Sequence, residues 1–252
     1  MMMIRMVVFV WGVLFSLSGF ASAVIETVNG AVRAGPSVSA ATAVTKGQRI
    51  QPGAMVVTGP KSLVTLRFDD GQAVLLNENS EFKVTAYSFS KGEPSKDRFV
   101  FELLKGAMRS VTALLTNRNP QAYTLRIPQA TIGIRGTDFM VALVNPAFMS
   151  VLGGTIAVSN APGLATFGPG STSTVASSTS LATSIPPSAL PASVSASFNQ
   201  LSSIVITTAE AAAAAEAAAG GLTPGAAGLA AAIAAGIAAA AAGGDGGTPG
   251  TT

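Results

Sequence analysis

The chain has 252 residues and contains neither cysteine nor histidine. Disulfide bonds, thiolate nucleophiles, imidazole bases and metal sites built from cysteine or histidine are therefore excluded. Residues 24–135 carry 14 basic and 8 acidic residues, whereas residues 136–252 carry 4 acidic residues and no basic one. The basic residues are interspersed with acidic ones, which argues against nucleic-acid binding and is typical of a solvated surface. A contact of the basic half with anionic lipid, glycan or an acidic protein face stays open.

The first 23 residues have the pattern of a secretory signal peptide. Arg5 gives a positive start, an apolar stretch covers residues 6–15, and Ala21-Ser22-Ala23 places small residues before a cut. The apolar stretch is shorter than the roughly 20 residues that span a bilayer, and an uncleaved anchor is the alternative. We therefore predict export to the periplasm or cell envelope of a bacterium, with a mature chain that starts at Val24.

Residues 24–175 are predicted to be one mainly β domain. Apolar and polar residues alternate over residues 64–68 and 99–103, which is the period of half-buried strands. Asp69-Asp70-Gly71 is typical of a hairpin turn. Further strand patterns recur about every 8 to 12 residues. This spacing fits a solenoid-like or a sandwich-like stack of short strands.

A weak internal echo links two of these strands. Residues 103–108 read Leu-Leu-Lys-Gly-Ala-Met, and residues 151–156 read Val-Leu-Gly-Gly-Thr-Ile. Stacked strand units produce such an echo, although chance is an equally good explanation for two matches.

The remaining residues change in composition. Residues 176–197 are rich in serine, threonine and proline and are predicted to be a linker. Residues 198–252 form an alanine- and glycine-rich, low-complexity tail, in which we predict one helix over 198–219 and a second over 223–243. The second helix lacks a flanking Lys or Arg, so we do not expect it to span a membrane. A membrane contact through this alanine-rich segment, a helix that packs on a partner helix and a loosely ordered tail stay open as alternatives.

Four segments carry a resemblance to a known family. In chain order they cover residues 51–59, 70–80, 103–109 and 130–139, and the last includes Ile134-Arg135-Gly136-Thr137-Asp138-Phe139. They resemble the P-G-D-x-I-x-T-G, D-G-S-x-V-x-L-x-x-N-S, L-x-x-G-x-x-R/V and V/I-R-G-T-x-F segments of the FecR domain family. The resemblance covers about residues 47–144, and it favours the solenoid over the sandwich. Ala54 and Gln72 depart from the family pattern, both at turn positions.

The resemblance implies an envelope protein rather than an enzyme. FecR itself is a membrane regulator whose cytoplasmic segment acts on a sigma factor and whose periplasmic part receives a signal from an outer-membrane receptor. Only five residues precede the apolar segment here, so we do not expect the sigma-regulating role to apply. We expect an exported binding or scaffolding module without a cofactor or metal, whose partner is an envelope protein or a cell-wall polymer. A membrane-anchored signalling regulator related to FecR-type iron-uptake sensing is the alternative.

The signature residues are expected to be structural. We expect Gly133 and Gly136 to shape a bend, and Thr137 to hydrogen-bond backbone groups at the turn. We expect Arg135 to pair with a nearby acid or carbonyl, for which Asp138 is a ready local partner. Arg135 could instead contact an anionic ligand, because a guanidinium group suits carboxylates and phosphates. No catalytic residue is assigned. The full set of signature residues is Asp70, Gly71, Gly133, Arg135, Gly136, Thr137, Asp138 and Phe139.

Overall fold

A computed structural model describes residues 22–112 and 118–206. Within these two ranges the chain forms 15 β-strands, three short 3-10 helices and one α-helix, α1 (Ala192–Ser202). The prediction of a mainly β protein is confirmed. The 3-10 helices cover Pro94–Lys96, Pro120–Ala122 and Pro187–Ala189. The strands are β1 (Ala23–Asn29), β2 (Val32–Gly35), β3 (Thr42–Ala43), β4 (Arg49–Ile50), β5 (Met55–Thr58), β6 (Leu63–Phe68), β7 (Ala73–Leu76), β8 (Glu81–Ser88), β9 (Arg98–Val111), β10 (Tyr123–Ile127), β11 (Ala130–Leu143), β12 (Ala147–Asn160), β13 (Gly163–Phe167), β14 (Thr172–Val175) and β15 (Thr183–Ile185).

All 15 described strands belong to one mixed sheet. Their pairing makes two rows that share β9, β11 and β12. The first row runs β3-β2-β5-β8-β9-β10-β11-β12-β13, and the second runs β4-β1-β6-β7-β9-β11-β12-β14-β15. The pair of β9 and β10 is parallel, whereas the other pairs are antiparallel. The described strands thus form one continuous sheet rather than the repeated coils of a solenoid.

The three shared strands pass from one row to the other at glycines. Gly106 in β9, Gly136 in β11 and Gly154 in β12 have φ angles of 84°, 60° and 72°, a backbone conformation that glycine adopts without steric cost. The register of β11 and β12 shifts between Arg135 and Asp138, as at a β-bulge. A Cβ atom on Gly154 would collide with the Gly136 carbonyl oxygen, so two of the bends lie directly against each other. Such bends let a single sheet fold back over its own core.

The main core lies between the inner faces of the two rows. Phe68 of the second row and Phe101 of the first row have ring centroids 5.2 Å apart. The rings of Phe139 and Tyr123, again from different rows, lie 6.5 Å apart. Side chains alternate along each strand, so Val74 faces this core while its neighbour Leu75 faces outward.

Helix α1 covers the outer face of the second row. Its buried residues Val194, Phe198 and Leu201 recur at helical spacing. They form a second apolar cluster with residues that point outward from the strands: Ala73, Leu75, Ala107, Met140, Ala142 and Phe148. Full burial of each of the three larger helix side chains is worth about 1.5–3 kcal/mol.

The predicted linker over residues 176–197 is wrong, because these residues contain β15, a 3-10 helix and the first part of α1. The segment is rich in serine, threonine and proline on average, and this composition predicted a linker. Its few apolar residues lie on one face of a helix and pack on the apolar outer face of the second row. The helix predicted from residue 198 also differs, since α1 begins at Ala192 and ends at Ser202. The predicted helix over 223–243 lies outside the described residues. In the described ranges, no helix combines the length and apolar character of a membrane span.

Two residues of the predicted signal peptide contact the sheet, since Ala23 begins β1 and Ser22 lies directly before it. Ala23 is fully buried and lies opposite Ile50 and Phe68. The Ser22 backbone N–H donates to Asp69 Oδ2 at 2.7 Å, and Arg49 Nη1 donates to Ser22 Oγ at 2.8 Å. Residues 1–21 lie outside the described residues. A cut after Ala23 would remove these contacts.

Candidate functional site

The signature segment lies at the bend of β11. Before the bend, Gly133 and Arg135 pair with Ala157 and Thr155 of β12 and point outward from the first row, because Ile134 between them is buried. After the bend, Phe139 is fully buried in the main core, in line with its expected place. Asp138, next to it, points outward from the second row. Residues three apart in the chain thus reach different surfaces of the molecule.

Asp138 binds Arg109 rather than Arg135. Arg109 Nε donates to Asp138 Oδ1 at 2.9 Å and Nη2 donates to Oδ2 at 2.7 Å, a bidentate pair. The expected pair of Arg135 and Asp138 is therefore wrong. The physical reason is the bulge at Gly136, which directs the two side chains onto different rows.

Arg109 also holds the end of α1. Its Nη1 donates to the carbonyl oxygens of Leu201 and Ile204, both at 3.0 Å, and approaches that of Ser202 at 3.4 Å. The last carbonyls of a helix have no donor within the helix, so a basic side chain stabilises them. The side chain of Arg109 is 11% exposed. This arginine ties the signature segment to the end of α1, whose carbonyls lie more than 90 positions from Arg109 along the chain.

Thr137 differs from its expected role. Thr112 Oγ1 donates to the Thr137 carbonyl oxygen at 2.9 Å and accepts from the Thr137 N–H at 3.0 Å. The side chain that satisfies backbone groups at this point is therefore that of Thr112. The hydroxyl of Thr137 itself is buried and has no hydrogen-bond partner among the described residues.

Arg135 is exposed and lines an open groove of about 700 Å³. Among residues 22–112 and 118–206, the side chain of Arg135 has no hydrogen-bond or ion-pair partner. We call this surface the Arg135 groove. Gly133 and Ala157 form part of its floor, and none of its lining residues is acidic. Its polar lining residues are Arg118, Asn119, Gln121, Arg135, Thr155 and Thr166.

Arg118 also lines the groove and is held in place. Its Nη2 donates to the carbonyl oxygens of Ser90 and Lys91 at 2.8 and 3.0 Å. Its guanidinium carbon lies 5.3 Å from the centre of the Phe89 ring, within the range of a cation–π contact. The buried carboxylate of Asp97 lies 3.9 Å from Nη2 and offsets part of its charge. In the described ranges, the guanidinium group of Arg135 forms no ion pair with a carboxylate.

Asp70 lies in the predicted hairpin turn and is buried. Gly71 has a φ of 89°, as the turn requires. Asp70 Oδ1 accepts from the Gln72 N–H at 3.1 Å and from the Tyr87 hydroxyl at 3.3 Å, whereas Oδ2 has no partner. Burial raises the pKa of Asp70 from 3.8 to about 6, against the opposing effect of these hydrogen bonds. Burial also raises the pKa of Tyr87.

A buried polar network connects this turn to the groove. Gln72 Nε2 donates to Ser110 Oγ at 3.0 Å, and Ser110 Oγ lies 3.3 Å from the hydroxyl of Tyr123. Burial raises the pKa of Tyr123, which is a lining residue of the Arg135 groove. Within residues 22–112 and 118–206, no cluster of three or more metal-ligating side chains occurs.

Sequence reasoning did not single out Arg109, Thr112 or Arg118. Arg109 was present in the third motif, at its last position, but nothing local indicates its partners, which come from β11 and from the end of α1. Arg118 lies outside all four motif segments. Its partners, the Phe89 ring and the Ser90 carbonyl oxygen, lie in the loop over residues 89–97, which only the folded structure brings close to it.

The comparisons with known proteins bear on this region. The FecR protein family model matches residues 54–157. The match begins one residue before β5 and ends within β12, so it contains the three glycine bends, Asp70, Arg109 and Arg135, whereas α1 follows it. The resemblance to the FecR family is thereby confirmed for this part of the chain.

Two solved structures are similar to this chain. They are crystal structures, at 1.65 and 2.50 Å resolution, of a candidate anti-sigma factor from Parabacteroides distasonis ATCC 8503. Each is 15% identical in sequence, with TM-scores of 0.41 and 0.42, and each match covers 52% of this chain and 58% of that chain. A search of curated proteins found no match.

Proposed function

We propose that this protein is an exported, non-enzymatic binding module of the bacterial cell envelope that recognises an envelope protein or cell-wall polymer at the Arg135 groove. The observation that carries the proposal is the state of Arg135. It belongs to the signature segment, it is exposed over an open groove, and no described residue binds its side chain. A purely structural arginine is expected to have partners, as Arg109 has.

The chemistry of the groove supports binding rather than catalysis. Its lining offers guanidinium groups, the amides of Asn119 and Gln121, and the hydroxyls of Thr155 and Thr166. The guanidinium groups donate hydrogen bonds, and the amides and hydroxyls both donate and accept them, but none of these groups exchanges protons near neutral pH without a neighbouring base. The chain supplies no histidine or cysteine for that purpose.

The envelope location rests on two observations. Residues 1–23 have the composition of a secretory signal peptide, and residues 54–157 match the FecR protein family model, whose members are envelope-associated. We propose the periplasm or the cell envelope as the compartment in which the groove meets its partner.

The proposal is tested by crosslinking capture from envelope extract. The tagged protein is compared with Arg135→Ala and with Arg33→Ala, which removes the same charge from an exposed position on β2. We expect one envelope component to be captured by the wild type and by Arg33→Ala, and to be lost with Arg135→Ala. Capture of nothing by the wild type, or equal capture by all three, contradicts the proposal.

The family match favours a second candidate, a membrane-anchored signalling regulator related to FecR. In this alternative the apolar segment over residues 6–15 stays uncleaved as an anchor. The discriminating measurement is a transcription reporter for extracytoplasmic sigma factors in a strain that lacks the gene. We expect no change in the reporter, and a change that the intact gene reverses would favour the regulator.

A further inference from the structure

We propose that the Arg135 groove binds a carboxylate on an extended, acidic peptide segment of the partner, with Arg135 as the anchoring residue. This inference rests on the proposed function and adds the chemical class of the ligand. Three features of the groove lead to it: its charge, its relief and the kind of groups that line it.

The charge of the groove favours an anion. Arg135 and Arg118 are its ionisable side chains of basic character, and no carboxylate is among its lining residues. Asp97 offsets part of the charge of Arg118 from behind, at 3.9 Å. Arg135 therefore provides the larger attraction, and its planar guanidinium group can hold both oxygens of a carboxylate at once.

The relief of the groove favours an extended segment. Gly133 of β11, Ala157 of β12 and Thr166 of β13 lie side by side in register across three neighbouring strands. These small residues leave a low floor, over which a flat chain can approach the sheet closely. A volume of about 700 Å³ accommodates a segment of a few residues rather than a folded element.

The lining groups favour a peptide over a sugar polymer. A peptide backbone presents alternating N–H and C=O groups, which the amides of Asn119 and Gln121 and the hydroxyls of Thr155 and Thr166 can satisfy. Sugar rings pack their apolar faces best on an exposed aromatic ring. The aromatic residue of this groove, Tyr123, is only 5% exposed, and its hydroxyl is directed to Ser110 inside the protein.

The test uses the purified protein and two fluorescent decapeptides in anisotropy titrations at low salt. One peptide is rich in glutamate, and its control carries glutamine at the same positions. We expect the glutamate peptide to bind, the glutamine peptide to bind at least about 10-fold more weakly, and Arg135→Ala to weaken the glutamate peptide by about 10-fold or more. Arg33→Ala is the matched control and should leave affinity within about 2-fold. Arg135→Lys keeps the charge but not the planar guanidinium group, so its affinity for the glutamate peptide should lie between those of the wild type and Arg135→Ala.

The outcomes separate this inference from the proposed function. Equal binding of the two peptides, or no binding of either, overturns the acidic-peptide ligand. A third titration uses an oligogalacturonate as an anionic sugar polymer, and a tighter, Arg135-dependent affinity for it also overturns the peptide. Both of these results leave a binding role for the groove intact. Peptide binding that is equal in Arg135→Ala and the wild type places the ligand elsewhere and contradicts the inference and the groove of the proposed function together. Melting curves of each variant establish that the proteins compared are folded.

Discussion

Arg109 and Arg135 stand on either side of the bend in the sheet and serve opposite purposes. Arg109 is 11% exposed, with its three guanidinium nitrogens directed to the Asp138 carboxylate and to carbonyls at the end of α1. Arg135 is exposed and has no partner within the described ranges. A charge removed from water needs compensating partners, whereas a solvated charge stays available for a ligand. One residue type thus stabilises the fold at one site and offers a recognition group at the other.

The outer faces of the two rows also differ, since one is covered by α1 and the other is open at the Arg135 groove. Leu75, Met140 and Phe148 make the outer face of the second row apolar, and α1 covers it. The outer face of the first row at the groove has Gly133, Ala157 and Thr166 in the same positions relative to the sheet, and it stays open. Apolar area drives docking of the helix on one face, whereas small side chains leave the other face accessible.

The largest effect is expected from removal of α1. A chain that ends at Val175 also lacks the edge strand β15, but it retains the strands that line the main core and exposes the apolar face under the helix. Burial of Val194, Phe198 and Leu201 is offset in part by the entropy of ordering the helix, so we expect a loss of about 3–5 kcal/mol in the free energy of unfolding. Urea denaturation against a chain that ends at Ile206 measures it. We still expect cooperative unfolding, and a random-coil circular dichroism spectrum would show that residues 24–175 are not an independent domain.

The comparison of the two arginines is tested most directly by their alanine variants. Arg109→Ala leaves Asp138 without its ion pair and the end of α1 without its donor, so we expect a loss of about 2–4 kcal/mol. Arg135→Ala removes an exposed side chain and should change the free energy of unfolding by less than about 0.5 kcal/mol. Urea denaturation of the two variants and the wild type measures both losses in the free energy of unfolding. Equal losses would mean that Arg135 has a structural role as well.

The buried turn at Asp70 makes the stability of the protein depend on pH. Asp70 has a pKa of about 6 in the folded protein against an ordinary value of 3.8, so the folded state binds its proton more tightly. The stabilisation is fully present below the ordinary value and is lost as the pH rises through about 6. The wild type should therefore lose up to about 3 kcal/mol relative to Asp70→Asn between about pH 4 and pH 7. Unfolding of both proteins across this range gives the difference, and a difference that is constant with pH would contradict the buried titration.

The smallest effect concerns the start of β1, which leaves both arginines untouched. We predict that exported protein begins at Val24, which N-terminal sequencing checks. A chain that starts there lacks the bonds of Ser22 to Asp69 and Arg49 and the pairing of Ala23. We expect it to be about 1–2 kcal/mol less stable than a chain that starts at Ser22. Identical thermal melting of the two chains would show that Ser22 and Ala23 contribute nothing to the fold.

The sequence by itself determined the local features of this protein. Alternation places Ile132 and Ile134 in the core, and Asp70-Gly71 makes the turn, because side-chain direction and backbone φ depend on neighbouring residues. The motifs led to the FecR family for the same reason, since each is a short run of residues that makes a strand and its turn. The weak echo of residues 103–108 and 151–156 also has a local basis: its shared glycines, Gly106 and Gly154, both sit at bends of long strands.

Only the tertiary structure decided which charges meet. Asp138 is three residues from Arg135 in the chain, but the bend at Gly136 sends it to Arg109 of β9. Helix α1 forms in a segment of linker-like composition. Its three large side chains pack on an apolar face that four strands, distant in the chain, build together. Ion pairing and burial depend on distances in space, which the order of residues along the chain does not specify until the sheet has folded back on itself.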